Sequence, residues 1–195
     1  MTLVFASNNA HKLAEVRSIL STATILSLHD IGFEAEIEEN GATLEENSAI
    51  KAEAVAAYLS EHAEIAVDGL FSDDTGLEIA ALDGAPGVHT ARWATAEGHQ
   101  DALNRAKALQ LLQGIDDRRA RFRTVVTLIR GTEKMQVEGV VEGQIAREEY
   151  GQGGFGYDPV FIPQGYEHTF AELPAEVKNS ISHRARAMEN LRKIL

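Results

Sequence analysis

Two adjacent carboxylates, Asp73 and Asp74, stand in the stretch SDDTGLEIAALDGAPG, behind a short apolar run and ahead of a Thr-Gly pair. Neighbouring side chains of a strand point to opposite faces, so one carboxylate can enter a cleft while the other orients it. A carboxylate in a cleft can hold Mg²⁺ or take a proton from water. The same four residues, DDTG, also suit a plain Asx-type turn. Upstream, Glu38, Glu39, Glu45 and Glu46 surround the start of a helix. Glu46 serves the helix cap, and one of Glu38 and Glu39 can supply a second oxygen to a hard cation. Lys51 lies eight residues beyond Thr43 and, on spacing alone, reads as a surface lysine.

Three further stretches carry groups that could bind an anion or a flat ring. Ser7, Asn8, Asn9, Ala10, His11 and Lys12 (SNNAHK) join a strand to a helix. The amides and the positive dipole end of that helix favour an anion, and Lys12 adds a point charge. Near the C-terminus, Lys178, His183, Arg184 and Arg186 fall within nine residues, interrupted by Ser180 and Ser182. Basic residues in the first turn of a helix oppose its dipole, so the cluster is either a ligand site or a solvated basic patch. Between them, GGFGYDPVF interleaves Gly153, Gly154 and Gly156 with Phe155, Tyr157 and Phe161. Extended backbone would project Phe155 and Tyr157 the same way, as a stacking platform with Asp158 accepting from ring N–H groups. A tight strand entry with core aromatics is the other reading of that segment.

Composition narrows the classes. The 195 residues suit one domain, residues 1–195, with two lobes and no separable linker. A net charge of -12 argues against a broad basic face for nucleic acid, though a few focused cations can still hold a small anion. The absence of cysteine removes disulfides, thiolate metal sites and cysteine nucleophiles. The opening MTLVFA is too short for a signal segment, and no window has the roughly twenty apolar residues of a membrane span. The expectation is a cytoplasmic protein with no membrane and no nucleic-acid partner.

The elements that must place these residues follow from periodicity. Residues 3–6 read as a buried strand and 12–20 as a helix with Leu13, Val16, Ile19 and Leu20 on one face. A capping box of Thr43 and Glu46 opens an Ala-rich helix over 44–61. Short strand pieces are expected at 65–67 and 70–72, loop over DGAPGVHTARW, and a helix over 102–112 closed by Gly114. Residues 122–129 and 135–145 read as an antiparallel hairpin turned by RGTEK, and 160–162 as a strand. Ser182 is placed to cap a last helix running to Leu195. The sum is a mixed, mostly antiparallel sheet with flanking helices, and the pattern leaves α/β and α+β both open.

Taken in order, SNNAHKLAEV, ENGATLEENSAIKA, SDDTGLEIAALDGAPGVHTARW, GGFGYDPVF and KNSISHRARA resemble the inosine/xanthosine triphosphate pyrophosphatase family. The blocks run from Ser7 to Ala187. The resemblance implies a mixed α/β, ITPase-like fold: a long curved sheet between two α/β lobes, a central active-site cleft, and a homodimer. It implies Mg²⁺-assisted hydrolysis of ITP, dITP or XTP to the monophosphate and pyrophosphate. It assigns the phosphates to Ser7–Lys12 and Lys51. Asp74 becomes proton acceptor and metal ligand, supported by Asp73 and Glu39, and Thr75 touches substrate. Phe155, Gly156, Tyr157, Asp158, Lys178, His183 and Arg184 form the nucleotide and base pocket. One departure is visible: Asn8 stands where the family usually has glycine. If that position needs positive φ, Asn is the best-tolerated replacement.

Overall fold

The computed structural model describes residues 1–95 and 97–195. Its described strands lie in the order β2 (Thr24–Leu26), β1 (Thr2–Phe5), β3 (Gly69–Ile79), β5 (Arg119–Arg130), β6 (Glu133–Ile145) and β7 (Phe161–Pro163), with β4 (Pro86–Gly87) paired to β3. The chain folds as two compact units, one of residues 1–74, 124–139 and 184–195, the other of residues 75–123 and 140–183. Two of the junctions fall inside the motifs above, at Asp74/Thr75 and at His183/Arg184.

The first unit is built on parallel strands. β1 (Thr2–Phe5) pairs in parallel with β2 (Thr24–Leu26) and with β3 (Gly69–Ile79). Parallel neighbours need crossovers, which α1 (Ala10–Ile19) and α2 (Leu44–Glu61) supply. Both faces of β1 are covered, so it reads as a continuous apolar run. Leu3 and Phe5 join one core with Val16 and Leu20 of α1 and Met188 and Leu191 of α5 (His183–Arg192). Val4 and Ala6 join a second core with Ala52 and Val55 of α2. β3 keeps the same alternation: Leu70 faces the α2 core and Phe71 the α1/α5 core.

The α2 side also holds a directional hydroxyl chain. Gln136 Nε2 donates to Thr127 Oγ1 (3.0 Å), which donates to Ser48 Oγ (2.9 Å). Ser48 Oγ lies 3.0 Å from Ser72 Oγ, and Ser72 donates to the Ser48 carbonyl. Because Ser72 spends its proton on that carbonyl, Ser48 must be the donor in the Ser48–Ser72 bond. The chain ties α2 to β3 and to β5 (Arg119–Arg130).

In the second unit, the later part of β3 pairs antiparallel with β4 (Pro86–Gly87), and β6 (Glu133–Ile145) with β7 (Phe161–Pro163). β5 and β6 are bonded neighbours joined by Gly131 and Thr132 alone, a connection only antiparallel strands allow. Leu77 and Ile79, Phe122, Ile145, Phe161 and Phe170 pack with Ala108 and Leu112 of α3 (Gln100–Leu111).

Several expectations are corrected. Residues 65–67 are not a strand, and β3 runs unbroken through Ser72–Gly76, so no turn follows the acidic pair. The DGAPGVHTARW stretch contains β4 and a 3₁₀ turn over Thr90–Arg92, pinned where Thr90 Oγ1 accepts from Leu77 N and Asn104 Nδ2 donates to the Thr90 carbonyl. Ser182 stands in extended conformation directly before the last helix, where the sequence places its cap, and its N–H also closes a short helix, α4 (Ala175–Ile181), on the Lys178 carbonyl (2.9 Å). The sequence pattern shows no helix over residues 175–181, and the last helix begins at His183. The capping box holds, with Glu46 N–H on Thr43 Oγ1 (3.1 Å), although Glu46 reaches back to Ala42 N–H.

Candidate active site

The alternation along β3 sorts the two carboxylates. Asp73 lies on the α1/α5 side and Asp74 on the α2 side. Asp73 is fully buried between two cations: Oδ1 accepts from Lys12 Nζ (2.7 Å) and Oδ2 from Arg184 Nε (3.0 Å). Arg184, itself 1% exposed, also donates from Nη1 to Glu15 Oε2 (2.5 Å). Burial by itself would raise the Asp73 pKa, but Lys12, Arg184 and Lys51 outweigh it and hold the carboxyl far below the usual range. Lys12 is shifted down, first by burial and then by Arg184 and Lys51, against the pull of Asp73.

Asp74 has the opposite environment. Its Oδ1 accepts from Lys51 Nζ (3.1 Å), and Lys51 also bonds Glu39 Oε2. Burial raises the Asp74 pKa; Lys51 and Lys12 oppose that shift and Glu39 adds to it. Burial works against the charge of Lys51, yet Asp74, Asp73 and Glu39 together raise its pKa. Adjacent carboxylates driven in opposite directions are a division of labour: one stays an ion, the other is a better proton acceptor. Lys51 is thus a buried ion-pair residue, which corrects its reading as a surface lysine. Of the Glu38/Glu39 pair, Glu39 makes the contact and Glu38 is exposed.

The loop before α1 is shaped by its own side chains. Asn9 Oδ1 caps Lys12 N–H (3.1 Å), and Ser7 Oγ accepts from Asn9 N–H (3.3 Å). The Lys12 amide is therefore occupied from within the loop. Among the described residues Asp83 is the one non-glycine at positive φ, so Asn8 carries no left-handed strain. Asn8, Asn9, Ala10 and His11 are exposed.

In the second unit the GGFGYDP segment is a turn, not extended backbone. Asp158 is buried, and its Oδ2 accepts from Phe155 N–H (2.8 Å) and from Lys178 Nζ (2.6 Å). Gly154, at φ 71°, is required there: a Cβ would stand 2.0 Å from Asp158 Oδ2. Lys178 Nζ lies 4.7 Å from the centroid of the half-buried Phe155 ring, a cation–π contact. Tyr157 turns into the core and donates to the Thr90 carbonyl (3.0 Å). Phe155 and Tyr157 therefore do not form one platform, and Asp158 anchors the turn from within. His183 is buried and stacks on Phe122, with centroids 4.7 Å apart, while Thr75 is half-buried on β3. Lys178 and Arg184 are both held in buried ion pairs, so the basic cluster is not a solvated patch.

Glu15 was missed. Its signal was present, since it follows Lys12 by three positions and so shares its face of α1. A cavity of about 530 Å³ in the second unit, lined by Arg118, Arg147, Tyr150 and His168 among others, contains none of the expected site residues.

Among the described residues no three or more His, Asp or Glu side chains are arranged to hold a metal ion. The first unit does offer two hard oxygen donors, Asp74 and Glu39, both already bound to one ammonium. Such a pair suits Mg²⁺, which takes one or two carboxylates and completes its shell with water and substrate phosphate.

A sequence model of the Ham1 family matches residues 3–194. A dITP/XTP pyrophosphatase of Porphyromonas gingivalis is 48% identical, over 99% of this chain and 96% of that protein. One from Bacillus subtilis is 45% identical, over 98% and 96% respectively. The solved Ham1 protein of Staphylococcus aureus superposes with a TM-score of 0.85 at 36% identity, covering 100% of this chain and 97% of that one. The HAM1 protein of Coxiella burnetii gives 0.86 at 37%, covering 100% and 98%.

Proposed function

The chain belongs to the Ham1 family, and from that premise we propose that it hydrolyses ITP, dITP and XTP to the nucleoside monophosphate and pyrophosphate. The observation that carries the reading is the acidic pair of β3, with Asp73 locked as an ion by Lys12 and Arg184 and Asp74 raised beside Lys51.

Splitting a phosphoanhydride calls for charge neutralisation and an oriented water more than for covalent chemistry. Lys12 and Lys51 are assigned to the phosphates, with the Ser7–His11 loop beside them. Lys51 also holds Asp74 through Oδ1, which leaves Oδ2 as the oxygen that takes the proton from water. Mg²⁺, held by Asp74 and Glu39, would neutralise charge on the triphosphate oxygens when bound. Thr75, next along β3, keeps its substrate contact in this reading.

Phe155 supplies a stacking face for the base, backed by Lys178. Hypoxanthine and xanthine carry a carbonyl at the purine 6-position where adenine carries an amino group. His183 is assigned as the donor that pairs with this carbonyl, and adenine would leave it unmatched. Arg184 moves out of base reading in this account, because its Nε and Nη1 are spent on Asp73 and Glu15. Gly156, Tyr157 and Asp158 act as the frame of the Phe155 turn. The same reading takes the enzyme as a cytoplasmic homodimer, from the family resemblance; sedimentation at the mass of a single chain would overturn the dimer.

Product identity tests the reaction. With dITP and Mg²⁺, ³¹P NMR should show pyrophosphate and dIMP growing together. Orthophosphate with dIDP would contradict the proposal.

A further inference from the structure

The turn that carries Phe155 is gripped from α3 by two side chains one helical turn apart. Asp101 Oδ2 accepts from Gly156 N–H (2.9 Å), and Arg105 Nη1 donates to the Gly156 carbonyl (2.8 Å). Positions i and i+4 share a helix face, so both reach the same residue without distorting α3. The N–H belongs to the peptide plane shared with Phe155, and the carbonyl to the plane shared with Tyr157. Fixing both planes fixes φ and ψ of Gly156, whose φ of 60° lies in the left-handed region. A glycine has no Cβ to restrict it, so without the grip this residue is the loosest joint in the turn.

The rest of the turn is secured on either side of that joint. Tyr157 is buried and bonded to Thr90, and Asp158 holds the Phe155 amide while Lys178 holds Asp158. Arg105 Nε also lies 3.0 Å from Glu149 Oε1, close enough for an ion pair but not aligned for a hydrogen bond. Asp101 itself is exposed. Truncating an exposed side chain costs little stability unless its partner needs the bond, so the cost should appear in the turn.

We propose that Asp101 and Arg105 are positioning residues that set the direction of Phe155, and through it the affinity for the purine base, by locking both peptide planes of Gly156. The proposal rests on the reading of Phe155 as the stacking face.

The test uses Asp101→Ala and Asp101→Asn in the full-length enzyme. The Asn amide keeps an oxygen that can accept the Gly156 N–H. Loss of one hydrogen bond to a charged acceptor, converted to affinity, raises KM for dITP about tenfold in Asp101→Ala with kcat nearly unchanged. Inorganic tripolyphosphate carries no base, so its inhibition constant should not move. Asp101→Asn should restore most of the KM. Hydrogen exchange at the Gly156 amide should speed up in Asp101→Ala alone. An unchanged KM, an equal rise in KM and in the tripolyphosphate constant, or an Asn variant as impaired as the Ala variant would each overturn the proposal. A wild-type enzyme that fails to turn over dITP would instead sink the functional reading, and the exchange rates would still report on the grip.

Discussion

Replacing Asp73 by Asn is the sharpest perturbation of the buried charge cluster. The carboxylate is excluded from solvent and faces Lys12 Nζ and Arg184 Nε, with side chains 16% and 2% exposed. Asn keeps the shape and one carbonyl oxygen, but it turns an N–H₂ toward one of the two cations. Lys12 loses its ion-pair partner, and Arg184 is left with Glu15. Removing one member of a buried pair costs about 3–5 kcal/mol, because the remaining charge stays buried without compensation. For a domain of this size, at about 2–4 °C per kcal/mol, Tm should fall by roughly 6–20 °C. Urea titration and thermal unfolding measure both quantities, and Glu15→Gln is the internal control. Glu15 is partly exposed, and its loss leaves Arg184 paired with Asp73, so the control should cost only about 1–2 kcal/mol. A loss below about 1 kcal/mol for Asp73→Asn, or a smaller loss than for Glu15→Gln, would refute the claim that Asp73 anchors the cluster.

Other perturbations separate chemistry from scaffold. Asp74→Asn should lower kcat by about 10²–10⁴ and cost less stability than Asp73→Asn, because burial disfavours the Asp74 charge and Lys51 keeps Glu39; full activity would remove Asp74 as the base. Thr127→Val should cost about 1–3 kcal/mol in urea unfolding by stripping the donor from Ser48 Oγ, whereas Thr127→Ser keeps the chain and most of the stability. Equal losses in the two variants would make the effect one of packing. Gly154→Ala should destabilise by at least about 1 kcal/mol, since the new Cβ meets Asp158 Oδ2 at a positive φ. A neutral result there would mean the turn is not held by Asp158.

Local chemistry made part of this legible. The apolar run of β1, the Thr43–Glu46 box and the alternation of adjacent side chains are all short-range, and each holds in the structure. The alternation reading went furthest, because it separates Asp73 from Asp74 before any partner is known. What escaped depends on distant partners. Ser72–Asp73–Asp74–Thr75 has poor strand propensity and reads as a break; Lys12, Lys51 and Arg184 compensate its charges and keep β3 whole. Lys51 reads as surface because Asp74, the group that draws it inward, is not near it in sequence. The stacking platform of Phe155 and Tyr157 assumed extended backbone, and positive φ at Gly154 and Gly156 sends the two rings apart. α4 is only seven residues long, too short for a helical period to stand out.

The ratio of kcat/KM for ITP over ATP, followed by pyrophosphate release with Mg²⁺, bears most directly on what this enzyme does. A site that pairs a donor with the purine 6-carbonyl should favour ITP by at least about a hundredfold. GTP shares that carbonyl, so a GTP arm reports separately on the 2-amino position. A ratio near one, or no pyrophosphate from either nucleotide, would contradict the account.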